Sequence, residues 1–515
     1  MRRPADPAVA RVPAPAGPAV PGRRWAVLLA WSALGAGLVA RQRGWTADDV
    51  YITYRYARNF ARGLGLVFNP GQRVFGDTEP GAALLLGAGH ALTHVPVDLL
   101  GAVFTAVALL AVAGLLLDEL ARRGRAVEGV VAGTLLLLSG VLWDTQGAAG
   151  PGVLALLLLA AGASRPVLRG VAAGAAVWMR PDAAVGVGWL ALERWLRREG
   201  RWRFLVATAA VVALGLVLVR LYYGALLPES WAAKRLHAER LPAAWLGFGP
   251  FWGYGLRWIA SYWGPAGAAV LALGLVGQPL LVGLGPRSRV LSLTGLGLFV
   301  VYPWLRVPFF LWYAIPTLVA ALYGAVFLLG SLARRGALPR RSARLVGAAG
   351  ALVALLLATS VAWGTFVWLR DGRDSNWRLP VYGAAGEWLR AHSAPADAVA
   401  FHEIGILGYT SDRPLLDLLG LVSPTSMPFA RQGDVVGAFL ARPPEYFLDI
   451  SYPGRGAITA ILARDWFGRS YERVAELRCG PDPAGSVVIY RRRPGAVLPA
   501  APAPRTRAPL GAPPG

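Results

Sequence analysis

Nine nearly uncharged apolar stretches, at about 25–40, 98–117, 127–143, 150–163, 204–221, 263–285, 290–304, 309–330 and 345–369, constrain this chain more than any other feature. Together they hold more apolar surface than one soluble core can bury, and in a bilayer each must close its own backbone hydrogen bonds as a helix. Composition agrees: of 515 residues, 55% are hydrophobic and 16% charged, with a mean hydropathy of +0.47. The pattern predicts an all-α polytopic membrane domain of about nine spans. Two pieces do not fit a simple crossing. The stretch 81–95 is too short and broken to cross alone and reads as interfacial or re-entrant. Residues 171–193 are interrupted by Arg180-Pro181-Asp182, where proline removes a backbone donor and two charges sit at membrane depth. A re-entrant or hairpin pair with that tripeptide at its apex is expected there.

The net charge of 52 − 29 = +23 would suit nucleic acid in a soluble protein. Here the basic residues lie in short loops between apolar runs, where they fix orientation and meet anionic lipid, so no nucleic-acid partner is expected. The segments placed inside by this topology (1–24, 118–126, 164–170, 194–203, 286–289, 331–344) carry 22 Lys and Arg, against 11 in the outside loops 41–80, 222–262 and 305–308. That asymmetry predicts a cytoplasmic N-terminus and an external C-terminus. The first apolar stretch follows Arg23-Arg24, lacks a small-x-small cleavage pattern and reads as a retained signal anchor. Cys479 is the only cysteine, so neither a disulfide framework nor a thiolate metal site is available. Residues 1–24 read as a disordered cytoplasmic tail, 25–369 as the membrane domain, 370–493 as a small α/β or α+β extracytoplasmic domain, and 494–515 as a disordered Pro/Ala-rich tail. No repeat with a period of roughly 20–50 residues is visible.

Six of the eleven outside basic residues crowd into 41–80, which holds WTADDVYITYRYARNFARGLGLVFNPGQRV (45–74). Two adjacent carboxylates, an arginine row and a glycine-rich turn meet there at an expected membrane surface. Thr46 or Asp48 can cap a helix, and Asp49 in its first turn suits the helix dipole. Ile52, Tyr56 and Phe60 recur every four residues, while Arg55, Arg58 and Arg62 fall on another face. The spacing predicts an amphipathic helix in the headgroup layer, ended by Gly63-Leu64-Gly65 and an Asn69-Pro70-Gly71 turn. Such a carboxylate pair suits removal of a proton from an acceptor hydroxyl while a lipid-linked phosphate leaves. Asp48 and Asp49 would take the proton, and Arg55, Arg58, Lys234 or Arg306 would hold the phosphate. Spacing alone fits equally well a plain cap at Asp48 and arginines that only bind headgroups.

WTADDVYITYRYARNFARGLGLVFNPGQRVFGDTEP resembles the first external loop of a bacterial integral-membrane glycosyltransferase family with the GT-C fold. That family includes the terminal arabinofuranosyltransferases of actinobacterial cell walls. Its pattern runs Asp-Asp, Tyr-Ile, an Arg-Tyr-Ala helix, Gly-Leu-Val-x-Asn-Pro-Gly and Glu-Gly-Tyr-Thr-Asn-Pro. RLYYGALLPESWAAK (220–234) resembles the family's Tyr-Tyr-Gly, Pro-Asn-Thr and Ala-Lys loop, and WMRPDAAV (178–185) its Arg-Pro-Asp/Glu element. HEIGILGYTSDRPLLDLLGLVSP (402–424) is similar to its external domain. This chain departs from the pattern at Phe75-Gly76-Asp77-Thr78-Glu79-Pro80, at Pro228-Glu229-Ser230, and at Gly147-Ala148-Ala149-Gly150, where a Gly-x-Glu-Thr carboxylate is missing. Those departures bear on the sugar and acceptor more than on the reaction class.

The resemblance implies a glycosyltransferase of the bacterial cytoplasmic (inner) membrane. It would take a hexose or pentose from a polyprenyl phosphate and pass it, with inversion, to a cell-envelope glycan, lipid or protein acceptor on the extracytoplasmic face. It implies Asp48 as general base, with Asp49 shaping the helix start, orienting the acceptor or helping Asp48 to hold a divalent cation, Mg2+ or Mn2+. Tyr51, Tyr54, Asn69, Asp77, Glu79, Arg180, Asp182, Tyr223 and Glu229 are expected around the substrate cavity. Lys234 would neutralise the lipid phosphate or merely snorkel at a helix end. Arg180 and Asp182 read as a structural ion pair before a catalytic couple, and His402-Glu403 as domain structure. Trp231, Tyr262 and Trp304 stand apart from the interfacial aromatic belt as sugar-stacking residues. Two other functions stay open: a non-catalytic relative that binds polyprenyl lipid, and a lipid or sugar transporter. Against the transporter stands a single helix interruption where such proteins show matched pairs.

Overall fold

The structure is a computed structural model that describes residues 21–42, 44–240, 242–264, 267–334, 355, 358–359, 361–366, 378–451, 456–478 and 486–503. The expected tails up to residue 20 and beyond residue 503, and most of the apolar stretch 345–369, lie outside the described residues. α1 (Pro21–Gln42) leads into the loop carrying α2 (Asp48–Ala61), and α3 (Pro80–Thr93) and α4 (Val97–Arg122) follow. The middle of the chain holds α5 (Ala126–Leu137), the single turn α6 (Gly140–Trp143), α7 (Gly150–Gly162), α8 (Pro166–Met179), α9 (Ala184–Arg197) and α10 (Arg201–Tyr223). Then come α11 (Glu229–Arg240), α12 (Phe248–Trp263), α13 (Gly267–Val282), α14 (Pro286–Trp304) and α15 (Leu311–Ala333).

Among the described residues α4, α10 and α15 are long and apolar enough to cross a membrane, and α12 with α13, bent by 111° between them, make a fourth if the pair counts as one broken span. α5, α7 and α8 are apolar but have only 12, 13 and 14 residues. At ~1.5 Å per residue, 13 residues cover roughly 20 Å of a ~30 Å hydrocarbon core. α10 buries only Phe204 and Val219 and meets the bundle chiefly through α8. Gly170 and Gly174, one turn apart on α8, allow that approach: a Cβ on Gly170 would stand 2.5 Å from the Phe204 carbonyl oxygen. In lipid, apolar side chains gain nothing by leaving hydrocarbon, so close backbone packing at small residues does this work. The main core fills the bundle with Trp31, Leu136, Trp143, Trp263, Ile315 and Tyr323.

The C-terminal part is a small sheet unit with α16 (Arg378–His392) and α17 (Gly405–Ser411) on it. Its strands are β1 (Val399–Phe401), β2 (Leu415–Asp417), β3 (Tyr446–Ser451), β4 (Tyr471–Arg478) and β5 (Ser486–Arg492), in the order β2-β1-β3-β5-β4. β1 runs parallel to β2 and β3, and β5 antiparallel to β3 and β4. A second core joins this unit to the external loop, with Tyr54, Tyr56 and Ala57 of α2 in one cluster with Phe401, Leu407, Phe439 and Phe447.

That shared core corrects the expectation that α2 lies in the headgroup layer. Nine of its 14 residues are buried, including Thr53, Arg55 and Asn59 on its polar face. α3 and α4 cover one side of it and α17 the other. α3, expected as an interfacial or re-entrant piece too short to cross, is a helix of 14 residues with Pro80 at its first position and Ala82, Ala83 and Leu86 turned inward. The Arg180-Pro181-Asp182 break falls as expected between two helices, α8 and α9, with Arg180 extended and one 3-10 turn over Pro181–Ala183.

Candidate functional site

Asp48 and Asp49 open α2, and adjacent helical residues point roughly 100° apart. Their carboxylates therefore meet different surroundings. Neither Thr46 nor Asp48 caps its own helix. The first cap position is Ala47, without a side-chain bond, and the Thr46 hydroxyl donates to the Asp144 carbonyl at 3.3 Å. The Asp48 carboxylate accepts instead from Gly405 N–H at 3.0 Å and Ile406 N–H at 2.8 Å, at the start of α17. Seven and ten residues on, along the same stripe of α2, Arg55 and Arg58 reach the other end of α17. Arg55 donates to the carbonyls of Gly408 and Arg413, each at 2.7 Å, and also to that of Phe68 at 2.7 Å. Arg58 donates to the Tyr409 carbonyl at 2.7 Å and pairs with Asp412 at 2.9 Å. A carboxylate at the positive end of α17 and guanidiniums at its negative end match the helix dipole. Burial first, then the charge of Glu403, pushes Asp48 up to about 7.

Asp49 faces the other way, into a cleft with about 40 Å3 of free space. Thr53 from α2, Gly76 to Glu79, Ser230 and Lys234 from α11, Trp312 from α15 and Leu421 from the C-terminal unit close it. A water needs roughly 10–15 Å3, so this space takes a few waters. Among the described residues Asp49 has no hydrogen-bond partner. Burial raises its pKa, against the opposing charge of Lys234. The Lys234 ammonium lies 5.8 Å from the Phe310 ring centre and 5.9 Å from that of Tyr313. Burial works against its charge, but Tyr313 and Asp49 outweigh that and its pKa is raised. Asp77 is 5% exposed. One oxygen accepts from the Thr53 hydroxyl at 3.1 Å and from Glu79 N–H at 2.9 Å. The other, Oδ2, and the Ser230 hydroxyl are buried with no partner among the described residues. Burial pushes Asp77 up to about 7.

Behind the cleft Glu79 bonds Arg180 at 2.9 Å and the Ala149 N–H at 2.9 Å, and Arg180 also pairs with Asp182 at 2.9 Å. Tyr302 donates to Asp182 and stacks on Tyr313 with ring centres 4.2 Å apart. This network ties α3, α8, α14 and α15 together beneath Lys234.

The structure thus brings Asp49, Asp77, Glu79 and Lys234 to one cleft, with Arg180 and Asp182 behind it. It takes others elsewhere. Arg55 and Arg58, expected at a phosphate, are engaged by α17; every guanidinium nitrogen of Arg55 already has an acceptor. Arg306 is exposed, with a left-handed φ of 53°, and does not line the cleft. Tyr51 donates to the Gly44 carbonyl at 2.6 Å and Tyr54 to that of Gln146 at 3.0 Å, both as core residues. The Asn69 amide binds the backbone of Leu415. Tyr223 donates to the Leu66 carbonyl at 2.6 Å and stacks on Phe75, while the Glu229 N–H donates to the Phe75 carbonyl at 2.7 Å. Trp231 and Trp304 are exposed, and Tyr262 donates to Asp144 at 2.5 Å. Glu403 accepts from Tyr382 at 2.5 Å and pairs with Arg378 at 3.3 Å. With both Asp48 oxygens on amides, the aspartate pair does not fit a cation, and among the described residues no group of three or more His, Cys, Asp or Glu does. Thr53, Ser230 and Trp312 were not expected at the site; Thr53 was visible, four residues after Asp49 on the same helical face.

A domain of unknown function matches residues 369–493. No curated protein matches the chain. Among solved structures, ArnT from Cupriavidus metallidurans is similar in its apo state, with a TM-score of 0.56, 12% identity, and coverage of 93% of this chain and 99% of that one. The same protein bound to undecaprenyl phosphate gives a TM-score of 0.56, 13% identity, and coverage of 93% and 100%. The arabinofuranosyltransferase AftD from Mycobacteria gives a TM-score of 0.47, 16% identity, and coverage of 91% and 40%. The likeness to ArnT over nearly the whole of both chains shows that this chain has the GT-C fold.

Proposed function

We propose that the chain is a membrane glycosyltransferase that moves a sugar from a polyprenyl phosphate to a cell-envelope acceptor on the extracytoplasmic face, with inversion at the anomeric carbon. The observation that carries this reading is Asp49: a carboxylate without a hydrogen-bond partner among the described residues, across a cleft from Lys234, in a GT-C architecture. A similar fold that holds undecaprenyl phosphate supports the choice of donor lipid.

In this mechanism the acceptor hydroxyl oxygen attacks the anomeric carbon as the bond from that carbon to the phosphate oxygen breaks. Asp49 takes the hydroxyl proton, and Lys234 offsets the charge left on the polyprenyl phosphate. One displacement with one base needs no protein nucleophile and inverts the centre. Asp77 and Ser230, each with an unpartnered oxygen at the cleft, orient the sugar hydroxyls. Asp48 serves as a positioning residue that seats α17, and through it the C-terminal unit, against the cleft.

The test compares the envelope glycans of a deletion strain carrying wild type, Asp49→Asn or an empty vector. General-base loss costs roughly 10²–10⁴ in rate. We expect Asp49→Asn to match the empty vector while the protein remains inserted at wild-type level. Wild-type glycan from that variant would remove Asp49 as base and favour the lipid-binding or transport reading.

A further inference from the structure

A second cavity, of about 340 Å3, lies beside the cleft between the 69–74 segment and the edge of the sheet. It falls within the ~300–1,000 Å3 range typical of small-molecule sites. Val74, Leu415 and Pro424 give it apolar lining and Gln72, Arg73, Thr425 and Arg442 polar lining, with no acidic residue among the described residues that line it. The Arg73 guanidinium rests 5.0 Å from the ring centre of Tyr222, which lies outside the lining. Neither Arg73 nor Arg442 pairs with a carboxylate among the described residues. The wall is rigid. The Asn69 amide donates to the Leu415 carbonyl at 2.8 Å and accepts its N–H at 2.9 Å, closing the free edge of β2 as another strand would.

The cavity is also close to the chemistry. Val74 lines it and Gly76 lines the cleft, as do Ser423 and Leu421 in turn. Two residues of extended chain span at most about 7 Å. A polyprenyl donor arrives from the bilayer, whereas this cavity is built from the external loop and the C-terminal unit. A cavity of mixed apolar and polar lining that carries two cations without a carboxylate partner fits a sugar ring with an anionic substituent.

We infer that this groove binds an anionic stretch of the acceptor glycan, with a carboxylate or phosphate between Arg73 and Arg442, and so presents the neighbouring sugar's hydroxyl to Asp49. This rests on the transferase reading and names its acceptor class.

The test is calorimetric titration of the purified full chain with three soluble probes: a galacturonate tetramer, mannose 6-phosphate and neutral maltotetraose. The proteins are wild type, Asp49→Asn, and Arg73→Gln combined with Arg442→Gln. One of the anionic probes is expected to bind wild type and Asp49→Asn alike, more weakly as salt is added. Which one binds tells a carboxylate acceptor from a phosphate acceptor. Removing two exposed charges should weaken it about tenfold, with the unfolding temperature unchanged. Equal binding of maltotetraose, wild-type affinity in the double variant, or no binding of either anionic probe overturns the inference. Binding is read without catalysis, so the outcome is separable from that of the glycan comparison.

Discussion

Asp48 and Asp49 are neighbours in sequence, yet one holds a helix and the other faces a cleft. The sequence displayed the pair but not the division of labour, because what turns Asp48 away is a pair of N–H groups more than 350 residues later. The same limit applies to Arg55, whose partners Gly408 and Arg413 are equally remote. Asp77 was legible as a cavity residue because its loop could be read from the motif. Its titration follows from burial, which pushes it from an ordinary 3.8 up to about 7. Between those values the folded chain keeps a proton that the unfolded chain has lost. Its contribution to stability is therefore fullest below pH 4 and drains as pH rises through 7. Asp77→Asn keeps an oxygen for the Thr53 hydroxyl and cannot ionise. We expect the fall in unfolding temperature of the detergent-solubilised protein between about pH 5 and pH 8 to be smaller in the variant, with other buried carboxylates raised in the same way, Asp48 and Asp417 among them, sustaining what remains. An undiminished fall would show that burial does not raise Asp77.

At the scale of elements, the functional unit is α2 with α17 rather than either helix alone. Gly405 and Gly408 let α17 lie against α2; a Cβ on Gly408 would come within 2.5 Å of Arg55 Nη1. The helical period was readable in both segments. What periodicity could not say was that the arginine stripe of α2 meets protein instead of lipid headgroups, since a polar face looks alike before either surface. The energetic consequence is large for one arginine and small for another. Arg55 is 1% exposed and serves three backbone carbonyls. Arg62 is exposed and among the described residues bridges only to Asp412. Arg55→Ala leaves buried acceptors unpaired at about 1–3 kcal/mol each, whereas Arg62→Ala removes a surface pair worth about 0–1 kcal/mol. Thermal unfolding should separate them clearly, and limited proteolysis should release the C-terminal unit from the first variant only. Similar losses in both would mean that the clamp is not what holds α17.

At the scale of the whole molecule, charge is sorted to the two ends of the bundle. Arg24 at the start of α1, Asp118 at the end of α4 and Arg287 at the start of α14 form one chain of ion pairs, at 3.2 and 2.8 Å. Glu193 near the end of α9 joins Arg289 at 2.7 Å and Arg197 at 2.9 Å. Glu128 at the start of α5 joins Arg125 at 2.9 Å and also Arg334 beyond α15. Five segments that charge counting assigned to the inside thus converge on one surface, although up to hundreds of residues separate them. The counting needed only composition, which is why it was open to sequence reading; the number of crossings needs the tilt and breaks of short helices, which composition does not carry. The cleft is built from α2, α11 and the C-terminal unit at the other end. If the Arg-rich surface is cytoplasmic, as the positive-inside rule requires, the cleft is external, where a polyprenyl-linked sugar and an envelope acceptor can meet. Alkaline phosphatase, which is active only outside the cytoplasm, should therefore be active when fused after residue 503 and inactive when fused at Gly200. The reverse pattern would put Asp49 in the cytosol, where the proposed acceptor is absent, and the catalytic reading would fall while the fold stood.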